Sequence, residues 1–244
     1  LLAGLPLTQP HGRARILATI LSTSSASSPS DRPYVMHDIH DAQEHFGSSV
    51  AWASCVGQAS GLTAVVSSPS VVQGSPSVYG YTLQDDEGIG SAAFKFSPKD
   101  VLEKSGAEAE FGGFGLVVET VSLPSPGGSA AHVSHFAVII GAPYERVPSV
   151  GTNAGRVYMY CQADGNRTAL SGLHTLAGSR AGEQFGYTVS RIADVDGDGV
   201  EDIAIGAPAL GEAPGIFGRV YIYRVLPTCE FEAKPFQASP VNLQ

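Results

Sequence analysis

Cysteine, tryptophan, methionine and charge are all scarce in this 244-residue sequence: three Cys, one Trp, two Met, and only 15% Asp, Glu, Lys and Arg. No C-x-x-C occurs, which excludes structural zinc held by closely paired thiolates. An odd cysteine count in a secreted chain leaves at least one thiol free or paired elsewhere. No cluster of Lys or Arg stands out against a net charge of -9. Nucleic acid, whose phosphates demand basic patches, is therefore not an expected partner, and an anionic membrane surface is disfavoured for the same reason. No apolar run approaches the roughly 20 residues that span a bilayer; the purest, Phe136 to Ala142, is strand-sized. A nucleophile elbow is missing too, since G-Q-A-S-G at Gly57 lacks the G-x-S-x-G spacing. The opening L-L-A-G-L-P-L has neither an initiator Met nor a basic n-region and does not match the pattern expected of a signal peptide. A processed product or a portion of a longer polypeptide is expected.

What the chain does have is punctuation. It carries 29 Gly and 16 Pro, with apolar residues in short bursts between them. Many short strands separated by turns belong to a sandwich, a barrel or a propeller. The most informative stretch runs from Arg191 to Pro208, R-I-A-D-V-D-G-D-G-V-E-D-I-A-I-G-A-P. Asp194, Asp196, Asp198 and Asp202 occupy positions one, three, five and nine of a loop, and Gly197 and Gly199 let the backbone curl. Carboxylates so close repel one another, and a hard divalent cation resolves that repulsion. The alternate acids, with the backbone carbonyl of Val200 at position seven, offer the all-oxygen set that Ca²⁺ takes. An EF-hand would need a bidentate Glu at position twelve, where Ile205 stands, and flanking helices. The pattern predicts a calcium hairpin between two strands, Phe185 to Ile192 and Asp202 to Pro208, with a third strand at Gly218 to Tyr223.

The same unit recurs along the chain. Phe46–Gly47 precedes T-A-V-V-S-S-P and S-V-Y-G-Y-T-L, and Phe114–Gly115 precedes F-A-V-I-I-G-A-P and G-R-V-Y-M-Y, with Phe111–Gly112 competing for the same place. The offset of 23 residues from Phe46 to Pro69 is repeated from Phe185 to Pro208. The middle copy is longer through the insert L-P-S-P-G-G-S-A-A-H-V-S-H, and Gly12 to Ala18 looks like the third strand of a preceding copy. A fourth strand of each copy is expected at Pro33 to Asp38, Ala92 to Leu102, Thr168 to Leu176 and Phe231 to Val241. Lys99 to Lys104 could equally form a turn of helix.

Together, F-G at Phe185, D-V-D-G-D-G-V-E-D at Asp194 and G-A-P at Gly206 resemble the FG-GAP repeat, the blade unit of the β-propeller heads of integrin α subunits and related surface and secreted proteins. The resemblance implies an all-β fold, with residues 1–45 the end of a preceding blade, 46–110 repeat 1, 111–184 repeat 2 and 185–244 repeat 3. About three to four blades of a larger, seven-bladed propeller would be present. The remaining blades, from a longer polypeptide or a partner chain, would complete it. The implied role is a calcium-stabilised, non-catalytic module for adhesion, binding or assembly at the cell surface or outside the cell. Two alternatives are the propeller of a phospholipase- or polysaccharide-acting enzyme, and an architectural element of an extracellular or ciliary assembly. The other copies lack the acids of the Asp194 loop, so one Ca²⁺ is expected.

Other residues carry less. Asn166 heads the glycosylation sequon N-R-T. Cys161 and Cys229 each lie just beyond or near a G-R-V-Y-type strand of successive copies and form a candidate disulfide. His37, His40, His45, His132 and His135 sit in patterns that do not bring a metal-ligating pair to one strand face. Tyr158, Tyr160, Tyr221 and Tyr223 are expected to pack between neighbouring blades.

Overall fold

The computed structural model describes residues 2–5, 13–19, 34–40, 45–54, 62–69, 76–84, 88–89, 94–98, 112–124, 133–163, 166–208 and 218–240. Antiparallel sheets follow one another in chain order. The first holds β1 (Leu2–Leu5), β2 (Arg13–Thr19) and β3 (Tyr34–His40). In the second, β4 (Val50–Ser54), β5 (Leu62–Ser68) and β6 (Ser77–Gln84) run side by side, and β6 also pairs with the short β7 (Gly88–Ile89) and β8 (Phe94–Phe96). The third is a meander of β9 (Val117–Pro124), β10 (Val133–Ala142), β11 (Arg156–Ala163) and β12 (Asn166–Ala177). The fourth joins β13 (Thr188–Arg191), β14 (Ile203–Ala207) and β15 (Arg219–Tyr223). A small hairpin of β16 (Val225–Leu226) and β17 (Glu230–Phe231) follows, after which β18 (Gln237–Pro240) returns to β15 as the fourth strand.

One local device repeats in three sheets and explains the fixed spacing of the motifs. The glycines of the F-G pairs, Gly47, Gly115 and Gly186, all adopt positive φ (89°, 82° and 88°), a conformation open to glycine at little cost. In that turn each amide donates to the carbonyl two residues before the motif's proline. The bonds run from Gly47 to Ser67 at 2.8 Å, from Gly115 to Gly141 at 3.0 Å and from Gly186 to Gly206 at 3.2 Å. The F-G turn is thus clamped onto the G-A-P end of the second strand. This resolves the competition in the middle copy for Phe114–Gly115; Phe111 lies outside the described residues. Phe46, Phe114 and Phe185 are buried and set their rings edge-on against tyrosines of the third strand, with centroids 5.7 Å (Tyr79), 5.5 Å (Tyr158) and 5.3 Å (Tyr221) away. Such edge-to-face pairs contribute about 0.5–1.5 kcal/mol beyond burial.

The leading strands β4, β9 and β13 neighbour one another in turn, and β1 lies beside β4, the arrangement of sheets set around an axis. Apolar clusters fill the spaces between successive sheets. Ala51, Ala53, Val65, Val78, Phe94 and Phe96 meet Val138, Ile140, Tyr158 and Tyr160 of the third sheet. Val121, Ala137, Ile139, Val157 and Met159 meet Phe185, Ile203, Ile205, Tyr221 and Tyr223 of the fourth. Strand β10 is consequently buried on both faces, and its near-continuous apolar run reflects that. The tyrosine pairs do lie between sheets, Tyr160 stacking on Phe96 at 4.3 Å. Cys161 on β11 is joined to Cys229, in the turn between β16 and β17, by a disulfide with Cα atoms 6.1 Å apart.

The fourth strands differ from expectation at their ends. Among them, β3 and β12 run longer than Pro33 to Asp38 and Thr168 to Leu176, and β8 occupies only three residues of Ala92 to Leu102. Phe231 to Val241 divides between β17 and β18, because Glu232 donates back to the Arg224 carbonyl at 3.0 Å and the intervening chain turns. Lys99 to Lys104 lies outside the described residues.

Candidate metal centre

The loop from Asp194 to Asp202 joins β13 to β14, and each end is fixed by the sheet. Ile192 donates to the Asp202 carbonyl at 2.8 Å. The side chain of Val200 is fully buried in the core between the third and fourth sheets, which pins the far half of the loop from below. Between these anchors Gly197 and Gly199 take φ of 83° and 90°, the left-handed turns that other side chains resist.

Asp194 is the hub of the loop. Its Oδ1 accepts from the amides of Gly197 (2.6 Å) and Asp196 (3.2 Å), and its Oδ2 accepts from Gly199 (2.8 Å). The Gly199 amide does most to hold its carboxyl below the usual range, with those of Gly197 and Asp196 adding to it. Asp202 is completely buried, and its two oxygens cap two further amides, Val195 at 2.8 Å and Val225 at 3.0 Å. It therefore ties the loop to the start of β16 as well as to β14. Asp196 accepts from the Asp198 amide, and Asp198 from that of Val200.

Asp194, Asp196 and Asp202 each present a carboxylate oxygen within 4.8 Å of the others, the one such acidic group of three among the described residues. Asp198 stands beside the trio. Desolvation raises its carboxyl, and the charges of Asp196, Asp194 and Asp202 push it further the same way. The donor set is all oxygen, with no thiolate or imidazole in it, which fits a hard divalent ion such as Ca²⁺. Two amides fill Asp194 Oδ1, but Asp194 Oδ2 and both oxygens of Asp202 each accept only one amide and keep a second lone pair for a cation.

Of the other predicted sites, Asn166 opens β12 opposite Ala163, and Cys55 lies outside the described residues. Three charged residues escaped the sequence reading. Glu145 is buried and bonds the Tyr158 hydroxyl and, at 2.9 Å, Nε of Arg156. Burial raises its carboxyl above the ordinary value, against the lowering effect of the Tyr158 hydrogen bond and of Arg156. Glu183 caps the amides of Ser179 (2.7 Å) and Arg180 (3.1 Å) and accepts from the Tyr221 hydroxyl. Arg224 reaches Asp196, with Nε 3.4 Å from Oδ2. The position of Glu183 two residues before Phe185 was the available signal for one of them; nothing in the local pattern marked the others.

Comparison with known proteins agrees with this architecture. Residues 185–223 match the FG-GAP repeat family. The chain is 35% identical to integrin alpha-6 of Gallus gallus over 112 residues, covering 45% of this chain and 9% of that protein. It is 34% identical to integrin alpha-7 of Rattus norvegicus over 134 residues, 54% of this chain and 10% of the relative. With integrin alpha-PS2 of Drosophila melanogaster it shares 33% identity over 79 residues, 32% of this chain and 5% of that protein. The aligned stretches thus span a tenth or less of each of these relatives. In sequence the chain is FG-GAP and integrin α-like, and its sheets are all-β blades of the propeller type.

Proposed function

We propose that this integrin α-like chain is a calcium-stabilised portion of a β-propeller that serves adhesion, binding or assembly outside the cell. The supporting observation is the convergence of Asp194, Asp196 and Asp202 within 4.8 Å at a strand junction. Asp198 and the Val200 carbonyl complete the proposed ligand set. The ion's role is structural: it neutralises the loop and holds β13 to β14 at the edge of the sheet. Loops carried on such a rigid scaffold are suited to recognition, and the buried carboxylates Glu145 and Glu183 are engaged in holding loops and tyrosines rather than in chemistry. Further blades, from the same polypeptide or a partner, cover the outward face of the fourth sheet. That reading rests on Val220, which is 43% exposed, whereas its counterparts Val78 and Val157 are fully buried by the next sheet. An extracellular site also suits the Cys161–Cys229 bridge and a glycan on Asn166.

The test is calorimetric titration of the 244-residue chain with CaCl₂, alongside thermal melts with and without the ion. Wild type should bind one Ca²⁺ and gain about 2.7 kcal/mol at a hundredfold excess over Kd, while Asp194→Asn should lose both binding and gain. Equal titrations and equal melts of the two proteins would refute the metal assignment.

A further inference from the structure

The residue that follows β15 sits where the fourth sheet, the acidic loop and the β16–β17 hairpin meet. The Arg224 carbonyl accepts from Glu232 at 3.0 Å, and the next amide, that of Val225, donates to Asp202. The backbone at this point is therefore bonded directly to the loop. The Arg224 side chain is only 27% exposed and its guanidinium is held on three sides. Nε lies 3.4 Å from Asp196 Oδ2, Nη1 lies 3.5 Å from Glu232 Oε1, and the group stands 4.5 Å from the centroid of the Phe236 ring. Among the described residues, Asp196 is the one aspartate of the loop that is paired with a cationic side chain. A side chain fixed by an aromatic face and a second carboxylate is a permanent charge at the site, not a passing surface contact.

We infer that Arg224 is the built-in counter-charge of the cation loop, and that it sets the loop's affinity for a divalent ion. The inference rests on the cation reading given above. With no ion bound, the guanidinium offsets the mutual repulsion of the aspartates and keeps Asp196 in place. When an ion enters, it must share Asp196 with a fixed positive charge a few ångströms away, and that repulsion lowers affinity. One residue thus stabilises the ion-free loop and restrains the ion-bound one. Through Glu232 and Phe236, occupancy of the loop is also felt by the segment that leads into β18.

The experiment compares wild type, Arg224→Gln and Arg224→Lys as full 244-residue chains, each titrated with CaCl₂ in a calorimeter and melted in chelator. Arg224→Gln should bind Ca²⁺ about five- to tenfold more tightly and melt at a lower temperature in chelator. Arg224→Lys, which keeps the charge, should return affinity to near the wild-type value. Unchanged or weaker binding by Arg224→Gln, with the far-ultraviolet spectrum of a folded chain, overturns the inference while leaving the metal site standing. If neither wild type nor Arg224→Gln binds Ca²⁺, the cation reading itself fails and this inference goes with it.

Discussion

The third and fourth sheets are built from the same motif, yet one is enclosed and the other is not. In the third, Ile139, Val157 and Met159 on the following face are completely buried against the fourth sheet. At the same positions of the fourth, Ala204 and Ile222 are partly exposed and Val220 is 43% exposed. The preceding faces of both are equally well covered. Sequence alone makes the two sheets look alike; it is the neighbour that makes one a core. The fourth sheet compensates with polar and covalent ties along its edge: the Asp202 caps on Val195 and Val225, the loop bonds of Asp194, and the bridge from Cys229 back to Cys161.

The contrast can be broken most forcefully at the junction of the two sheets. Phe185 is buried between them and contacts Tyr221 and Tyr223. Phe185→Ala should cost about 3–5 kcal/mol in urea unfolding, and a loss under about 1 kcal/mol would show that the sheets do not depend on that ring. A sharper comparison uses one substitution at two equivalent places. Val157→Ala should cost about 2 kcal/mol, whereas Val220→Ala in the 244-residue chain should stay within about 0.5 kcal/mol. Repeating Val220→Ala in a longer polypeptide that supplies further blades should raise its cost to that of Val157→Ala. Equal, small costs in both settings would mean that nothing covers the outer face.

The smallest effect concerns pH and the third sheet alone. Burial raises the folded carboxyl of Glu145 above its unfolded value, so the fold prefers the protonated form. The contribution of this group is therefore complete below the unfolded carboxylate range and is lost as pH rises through the raised folded value. Wild-type stability, measured against Glu145→Gln by denaturant titration, should decline over the pH range above that of an ordinary carboxylate. A difference that grows over that range would reverse the assignment.

Much of this was legible because the motif residues do local work. F-G needs glycine for its left-handed turn, G-A-P ends the strand that receives that turn's amide, and Tyr-x-Tyr places two rings on one face. Strand order and the acidic loop followed from them. The fourth strands were less legible, since β8 and β18 are held by backbone pairing with β6 and β15 rather than by a pattern of their own. The roles of Glu145, Glu183 and Arg224 were hidden for a different reason. Each acts through a partner 11, 38 or 28 residues away, on Arg156, Tyr221 and Asp196 respectively, and such pairings exist only once the strands have paired and brought their connecting loops together.

The bridge between Cys161 and Cys229 has a mechanical corollary. Sixty-eight residues separate its ends, a length of chain that could pay out roughly 230 Å if drawn straight. With the cross-link closed, a pull applied to the two termini bypasses this whole stretch, and the acidic loop and its two flanking strands lie inside the protected span. Tension strong enough to peel away the leading sheets would leave the acidic hairpin slack and intact, whereas after reduction the same load would run directly through it.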